Sequence, residues 1–230
     1  LERFIREARA SSSLKHPNIC TIYEINDSVD PPFIAMEFVE GETVAKMILH
    51  RRRTIGESLE LVIQIADALA EAHANGIIHR DVKPANIIVN TRGRVKILDF
   101  GLAKRVFAFD DATVPQFTTH AGVVLGTASY MAPEQARGLE VDHRSDIWSL
   151  GVCLYEMLTG TVPFKGETAA DTFASILTRS PLPPSTIVPE ISAELDEIIL
   201  RTLKRKREER FQSVEELAAR LQAIRKFDND

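Results

Sequence analysis

Cysteine is scarce in this chain. Cys20 and Cys153 are the only two in 230 residues, and they form no CxxC pair. A disulfide framework and a structural zinc site are both excluded on that count, and a reducing, cytoplasmic setting is expected. Tryptophan occurs once, at Trp148. No apolar run is long enough to span a bilayer. The opening stretch LERFIREARA is charged and amphipathic, unlike a signal peptide; a membrane anchor of a longer parent would lie outside this segment. Positive charge is not in excess: 28 Lys and Arg stand against 33 Asp and Glu, a net charge of -5. That balance speaks against a nucleic-acid partner. None of the 11 glycines precedes Gly41, and no two are spaced as GxG.

What is present is a folding composition. Hydrophobic residues make up 44% and charged residues 27%, enough for a core and too apolar for disorder. The opening segment has helical spacing to about Leu14 and is stopped by His16-Pro17. Strands are expected over Ile19–Ile25 and Phe33–Val39, antiparallel across the turn Asp30-Pro31-Pro32. Gly41 is read as a strand breaker, followed by a short helix over Thr43–His50. Leu59–Ala74 is a strong amphipathic helix, with Leu59, Val62, Ile63, Ala66 and Leu69 on one face and Asn75-Gly76 as its stop. Ile87–Val89 and Val95–Leu98 form a hairpin. Residues 102–131 carry no period, which in a compact domain marks a functional stretch. Arg144–Thr159 is apolar around most of its circumference and reads as a buried helix. Helices follow near Thr168–Thr178 and Ala193–Leu203, with a loop at Pro181, Pro183 and Pro184 between them. Ser213 to Glu216 is a capping box opening a last helix to about Lys226.

Chemistry concentrates just after the long helix. His79-Arg80-Asp81-Val82-Lys83-Pro84-Ala85-Asn86 places one carboxylate, one ammonium and one amide in a short loop. Such a set can accept a hydroxyl proton, neutralise a phosphate and hold a metal; the plainer reading is a polar turn. Asp99-Phe100-Gly101 follows the hairpin, and a carboxylate at a strand end suits Mg2+. Alone it is also an ordinary turn, as is Met131-Ala132-Pro133-Glu134.

In order, HRDVKPAN, DFG, GTASYMAPE and DIWSLG resemble the catalytic core of the eukaryotic-type (Hanks-type) protein kinase family. The resemblance covers essentially the whole chain. It implies an α+β, protein-kinase-like fold: a mostly helical C-lobe over 40–230, and over 1–39 a truncated N-lobe of helix C and two strands. It implies transfer of the ATP γ-phosphoryl group to a protein Ser or Thr hydroxyl, with ATP and Mg2+ as cofactors. Asp81 resembles the catalytic base, Lys83 the contact to the transferred phosphoryl group, and Asn86 and Asp99 the Mg2+ ligands. Glu7 matches the glutamate that pairs with the ATP-binding lysine. Glu37 to Val39 match the hinge that binds adenine, with Met36 as gatekeeper. His79 and Phe100 would pack behind the site. Glu134 with Arg210 matches a buried ion pair, and Asp146 a brace on the catalytic loop. Lys83 and Thr127 resemble serine/threonine rather than tyrosine kinases. Arg80 implies control by activation-loop phosphorylation, at Thr118 or Thr119, by a second kinase copy in a dimer. KPANIIVN and MAPEQARG look bacterial. Ala85 removes one acidic position that some kinases use to read basic residues.

The chain departs from the family at its start. A Gly-rich loop and a strand lysine belong upstream of the Glu7 helix, and neither is in the sequence. Val44-Ala45-Lys46 imitates the lysine motif but falls after the hinge and in a helical pattern. A truncated domain, weak in nucleotide binding and very slow in phosphoryl transfer on its own, is the expectation. The alternatives are a non-catalytic kinase-like binding module and a small-molecule phosphotransferase of related fold. The intact Asp81, Lys83, Asn86 and Asp99 weigh against the first, and GTASYMAPE against the second.

Overall fold

A computed structural model describes residues 14–26, 28–29, 33–50, 53–98 and 128–227. The expected opening helix, the Asp30-Pro31-Pro32 turn and most of the aperiodic stretch lie outside these. The expected antiparallel pair is present as β1 (Ile22–Asn26) and β2 (Phe33–Met36), with Ile25 opposite Ile34. Both strands are shorter than their sequence patterns.

Gly41 starts a strand instead of breaking one. Here β3 (Gly41–Thr43) pairs antiparallel with β4 (Ile87–Asn90), which pairs with β5 (Val95–Ile97). A Cβ at residue 41 would lie 2.3 Å from the Val89 carbonyl oxygen. The backbone approach that makes the strand therefore requires the glycine read as its breaker. The hairpin is thus the larger part of a three-stranded sheet. Its free side is not bare: Ile19 bridges Ile97 in parallel, Cys20 N–H donates to Ile97 O at 2.9 Å and Ile97 N–H to Asn18 O at 2.8 Å.

Helix α1 (Val44–His50) follows β3, so Lys46 is helical, as its context implied. The long helix α2 runs over Ile55–Ala74. Its start lies before Leu59 because Thr54 and Glu57 form a capping box: Thr54 Oγ accepts from Glu57 N–H, and Glu57 accepts from Thr54 N–H. Gly76, at φ 71°, sits just past its end. Its buried residues exceed one stripe, Leu61, Ile65 and Ala68 joining Leu59, Val62 and Leu69. The cause is packing between α4 (Arg144–Thr159) and the last helix, α7 (Val214–Phe227).

Helix α4 is the axis of the core. Every residue in it except Arg144 and Glu156 is buried. Its Gly151 lies against α6 (Ala193–Thr202) so closely that a Cβ would stand 1.8 Å from Thr202 Oγ1. Trp148 stacks on Phe164, ring centroids 5.3 Å apart. Two further helices complete the layer: the single turn α3 (Pro133–Ala136), absent from the sequence reading, and α5 (Ala169–Thr178), capped by Thr168. In α7 the spacing of Val214, Leu217, Leu221 and Ile224 gives one buried stripe. Its capping box is half of what was expected. Ser213 Oγ accepts from Glu216 N–H, but the Glu216 carboxylate takes the N–H of Gln212, one residue earlier.

Candidate active site

The loop between α2 and β4 is built by backbone constraints. Arg80 has φ 66°, the one positive value among the described non-glycine residues. Such a conformation costs roughly 1–3 kcal/mol and persists only where the surroundings enforce it. Here the enforcement is visible. Asp146, in the first turn of α4 and fully buried, accepts His79 N–H at 2.9 Å and Arg80 N–H at 2.8 Å. Gln135 of α3 donates to the Arg80 carbonyl at 2.9 Å. Lys83 is extended before Pro84, as a pre-proline residue must be, and Pro84–Asn86 makes one 3-10 turn.

That turn folds the loop back on Asp81. Lys83 Nζ lies 2.7 Å from Asp81 Oδ2, and Asn86 Nδ2 donates to the same oxygen at 3.0 Å and to the Asp81 carbonyl at 2.9 Å. Asp81 is only 6% exposed. The three residues selected from the sequence are therefore one cluster. His79 fixes the loop from beneath. Its Nε2 meets the Leu98 carbonyl at 3.0 Å and so carries the proton, leaving Nδ1 to accept from Asp81 N–H at 3.2 Å. Leu98 N–H in turn donates to Asn86 O at 2.8 Å.

Electrostatics around the cluster keep neighbouring groups neutral or paired. Burial pushes the Cys153 thiol well up, and the charges of Glu156 and Asp81 push it further; it is an inert thiol. Burial also raises Glu156, against the pull of its hydrogen bond from Tyr130.

The remaining sequence-selected residues are spread out. Met36 ends β2 and is 37% exposed. Burial pushes the Glu37 carboxyl up, but bonds from Lys96 Nζ at 2.7 Å and Thr21 N–H at 3.2 Å outweigh it and hold it low. Val39 is half-buried between β2 and β3. Glu7, Asp99, Phe100, Thr118, Thr119 and Thr127 lie outside the described residues. Among the described residues, no group of three His, Cys, Asp or Glu side chains could hold a metal ion. Nor is any helix there long and apolar enough to cross a membrane.

Two supports were not selected from the sequence. His73 Nε2 lies 2.8 Å from Asp146 Oδ2, with Asp146 buried and His73 9% exposed. The signal for it was a histidine four residues after Leu69, on the apolar face of α2. Gln135 had no signal, since 55 residues separate it from Arg80. Farther off, Arg210 Nη1 and Nη2 each lie 2.8 Å from an oxygen of Glu134, as the matched ion pair requires.

A buried carboxylate in a loop braced from α3 and α4, with an ammonium and an amide folded onto it, is the cluster the loop motif led one to expect. The chain belongs to the protein kinase domain family, whose sequence pattern matches residues 1–221. Its relatives are bacterial serine/threonine kinases. A probable serine/threonine-protein kinase of Streptomyces coelicolor is 39% identical over 226 residues, covering 96% of this chain and 33% of that protein. A serine/threonine-protein kinase of Myxococcus xanthus is 42% identical over 218 residues, 93% of this chain and 30% of the relative. PknB of Mycobacterium tuberculosis is 40% identical over 225 residues, 95% and 35% respectively. The chain thus spans about a third of the length of these relatives. The kinase-like α+β fold and the serine/threonine kinase class agree with the expectation, and the family generally uses ATP and Mg2+ and acts on protein substrates.

Proposed function

We propose that this domain transfers the γ-phosphoryl group of ATP to a serine or threonine hydroxyl of a protein, with Asp81 at the point of transfer. The observation that carries this reading is the convergence of Lys83 Nζ and Asn86 Nδ2 on Asp81 Oδ2. The hydroxyl oxygen forms a bond to phosphorus as the bond from phosphorus to the β-bridging oxygen breaks, and the hydroxyl proton passes to the Asp81 carboxylate. Lys83, 2.7 Å from that carboxylate, offers its ammonium to the transferred phosphoryl oxygens.

Mg2+ would neutralise charge on the phosphates when bound. The residues fit it: Asn86 spends its amide nitrogen on Asp81, which leaves its oxygen, the hard-cation ligand, without a partner among the described residues. Asp99 is the second ligand in this reading. Met36, Glu37 and Val39 line the adenine site, and Glu7 orients the phosphates through a lysine. Arg80 receives a phosphate on Thr118 or Thr119, placed there by a second copy, and Thr127 belongs to the same regulatory segment. Pairing of Gly41–Thr43 with Ile87–Asn90 supports dividing the lobes at residues 39 and 40.

The test uses the complete product of the gene, read from the coding DNA around this segment. With Mg-ATP and a serine- or threonine-containing protein, Asp81→Asn is expected to lower kcat by about 10²–10⁴ while the KM for ATP changes little. Undiminished transfer in that variant overturns the assignment.

A further inference from the structure

The basic run Lys204-Arg205-Lys206-Arg207 directly follows α6, and nothing in the reaction uses it. It lines a cavity of about 720 Å³ together with Pro133 and Glu134 of α3, Arg137 and Leu139. The charges in this cavity are unevenly matched. Glu134 is spent on Arg210, buried, at 2.8 Å. Arg207 is held by Asp142 at 3.0 Å and by the Glu140 carbonyl at 3.1 Å. Lys206 faces Glu209 at 3.4 Å. That leaves Arg137, Lys204 and Arg205 against one carboxylate, Glu208, in a chain whose net charge is -5.

Arg205 adds a second, independent sign. Its Nε donates to the Ile176 carbonyl at 3.3 Å, which anchors the guanidinium, yet its Nη2 is shut off from solvent and has no hydrogen-bond partner among the described residues. An anchored guanidinium with an N–H that lacks an acceptor leaves its positive charge uncompensated at the cavity wall. A planar guanidinium with two neighbouring cations suits a group with several charged oxygens.

We propose that this cavity binds the phosphate of a phosphorylated serine or threonine on a protein, so that the domain docks a product of its own kind of reaction away from Asp81. The proposal rests on the transfer reading for the source of the phosphate. Leu139, Pro181 and Leu203 in the walls accommodate the residues that flank the phosphorylated one. A nucleic-acid backbone would need a basic stripe across the surface, not a single recess.

The test is calorimetric titration of the protein, without ATP or Mg2+, using a phosphoserine peptide with apolar flanks, the same peptide with serine, and inorganic phosphate. The phosphoserine peptide is expected to bind at least tenfold more tightly than the serine peptide and than inorganic phosphate, and less tightly as salt rises. Arg137→Glu with Lys204→Glu removes the preference, and Lys204→Arg keeps it. On the unmodified protein, the Arg205 side-chain NMR resonances shift with the phosphopeptide, a readout that needs no variant to fold. Equal binding of the two peptides, a preference that survives the double charge reversal, or unmoved Arg205 resonances each overturn the proposal. So does a phosphopeptide no tighter than phosphate, or displacement of it by a single-stranded oligonucleotide at lower concentration. Because no turnover is measured, failure here leaves the transfer reaction untouched, and Asp81→Asn retains the docking.

Discussion

Arg210 grips both oxygens of Glu134 with no part of either guanidinium edge left idle. Nη1 and Nη2 each reach one carboxylate oxygen at 2.8 Å, while carbonyls of Lys204, Arg144 and Arg205 take the other three N–H groups. Arg210 has no exposed surface, and its guanidinium carbon lies 5.1 Å from the Trp148 ring centroid. Removing one member of such a buried pair strands the other. Arg210→Ala is expected to cost about 3–5 kcal/mol of unfolding free energy. Arg210→Lys loses nearly as much, since three ammonium donors cannot serve five acceptors. Urea unfolding of both variants measures this; a loss below about 1 kcal/mol would contradict the buried network.

His73 acts through Asp146, not on substrate. His73→Leu leaves Asp146 one donor short beneath Arg80 and is expected to reduce kcat about tenfold with little change in peptide KM. His73→Gln, which keeps a donor, recovers part of it. A rise in KM with kcat unchanged in His73→Leu would refute the positioning role.

Acid stability tests the loop before α4. Burial pushes the Asp142 carboxyl up, but the side-chain and backbone bonds from Arg144, with the Arg207 charge, outweigh it and hold it at about 2. A depressed carboxyl contributes stability that is present above its unfolded pKa, near 3.8, and lost as the pH falls toward 2. The protein should therefore exceed Asp142→Asn in stability at pH 6, and the gap should close between about pH 4 and pH 2. Asparagine is the right comparison because it keeps an oxygen for the Arg144 N–H. A gap that is constant or widens as the pH falls would be the wrong sign for this pairing.

Gly151→Ala introduces a Cβ where Thr202 Oγ1 already stands, 1.8 Å away. Overpacking of about 1–3 kcal/mol is expected. Thr202→Ala in the same chain should recover part of that loss, a non-additivity that thermal unfolding of the two single variants and the double variant will show.

What the sequence made legible follows from the range of each interaction. The Asp81 cluster was readable because Asp81, Lys83 and Asn86 fall within six residues and one pre-proline turn brings them together. Helix α4 was readable to the residue from its apolar circumference, and the structure ends it at Gly160 in the left-handed conformation. β3 was not, because a glycine serving close backbone approach looks the same in sequence as one serving a break. The start of α2 was missed for a different reason: Thr54 and Glu57 cap it before its apolar stripe begins. Gln135 reaches the loop only through tertiary packing, which no local pattern encodes, and the place of His73 on the apolar face of α2 gives no sign of its partner Asp146.

β5 is three residues long, yet it is gripped along both edges, by β4 on one side and by residues 18–20 on the other. The next residue, Leu98, holds His79 by its carbonyl and Asn86 by its N–H. The segment at 18–20 and the loop carrying Asp81 are therefore two ends of one short lever. Slack introduced at Asn18 or Cys20 is expected to be felt as misalignment at Asp81, carried by backbone hydrogen bonds through Ile97 and Leu98. The amides along this lever should be among the slowest in the molecule to exchange with solvent, an unusual rank for one of its smallest elements.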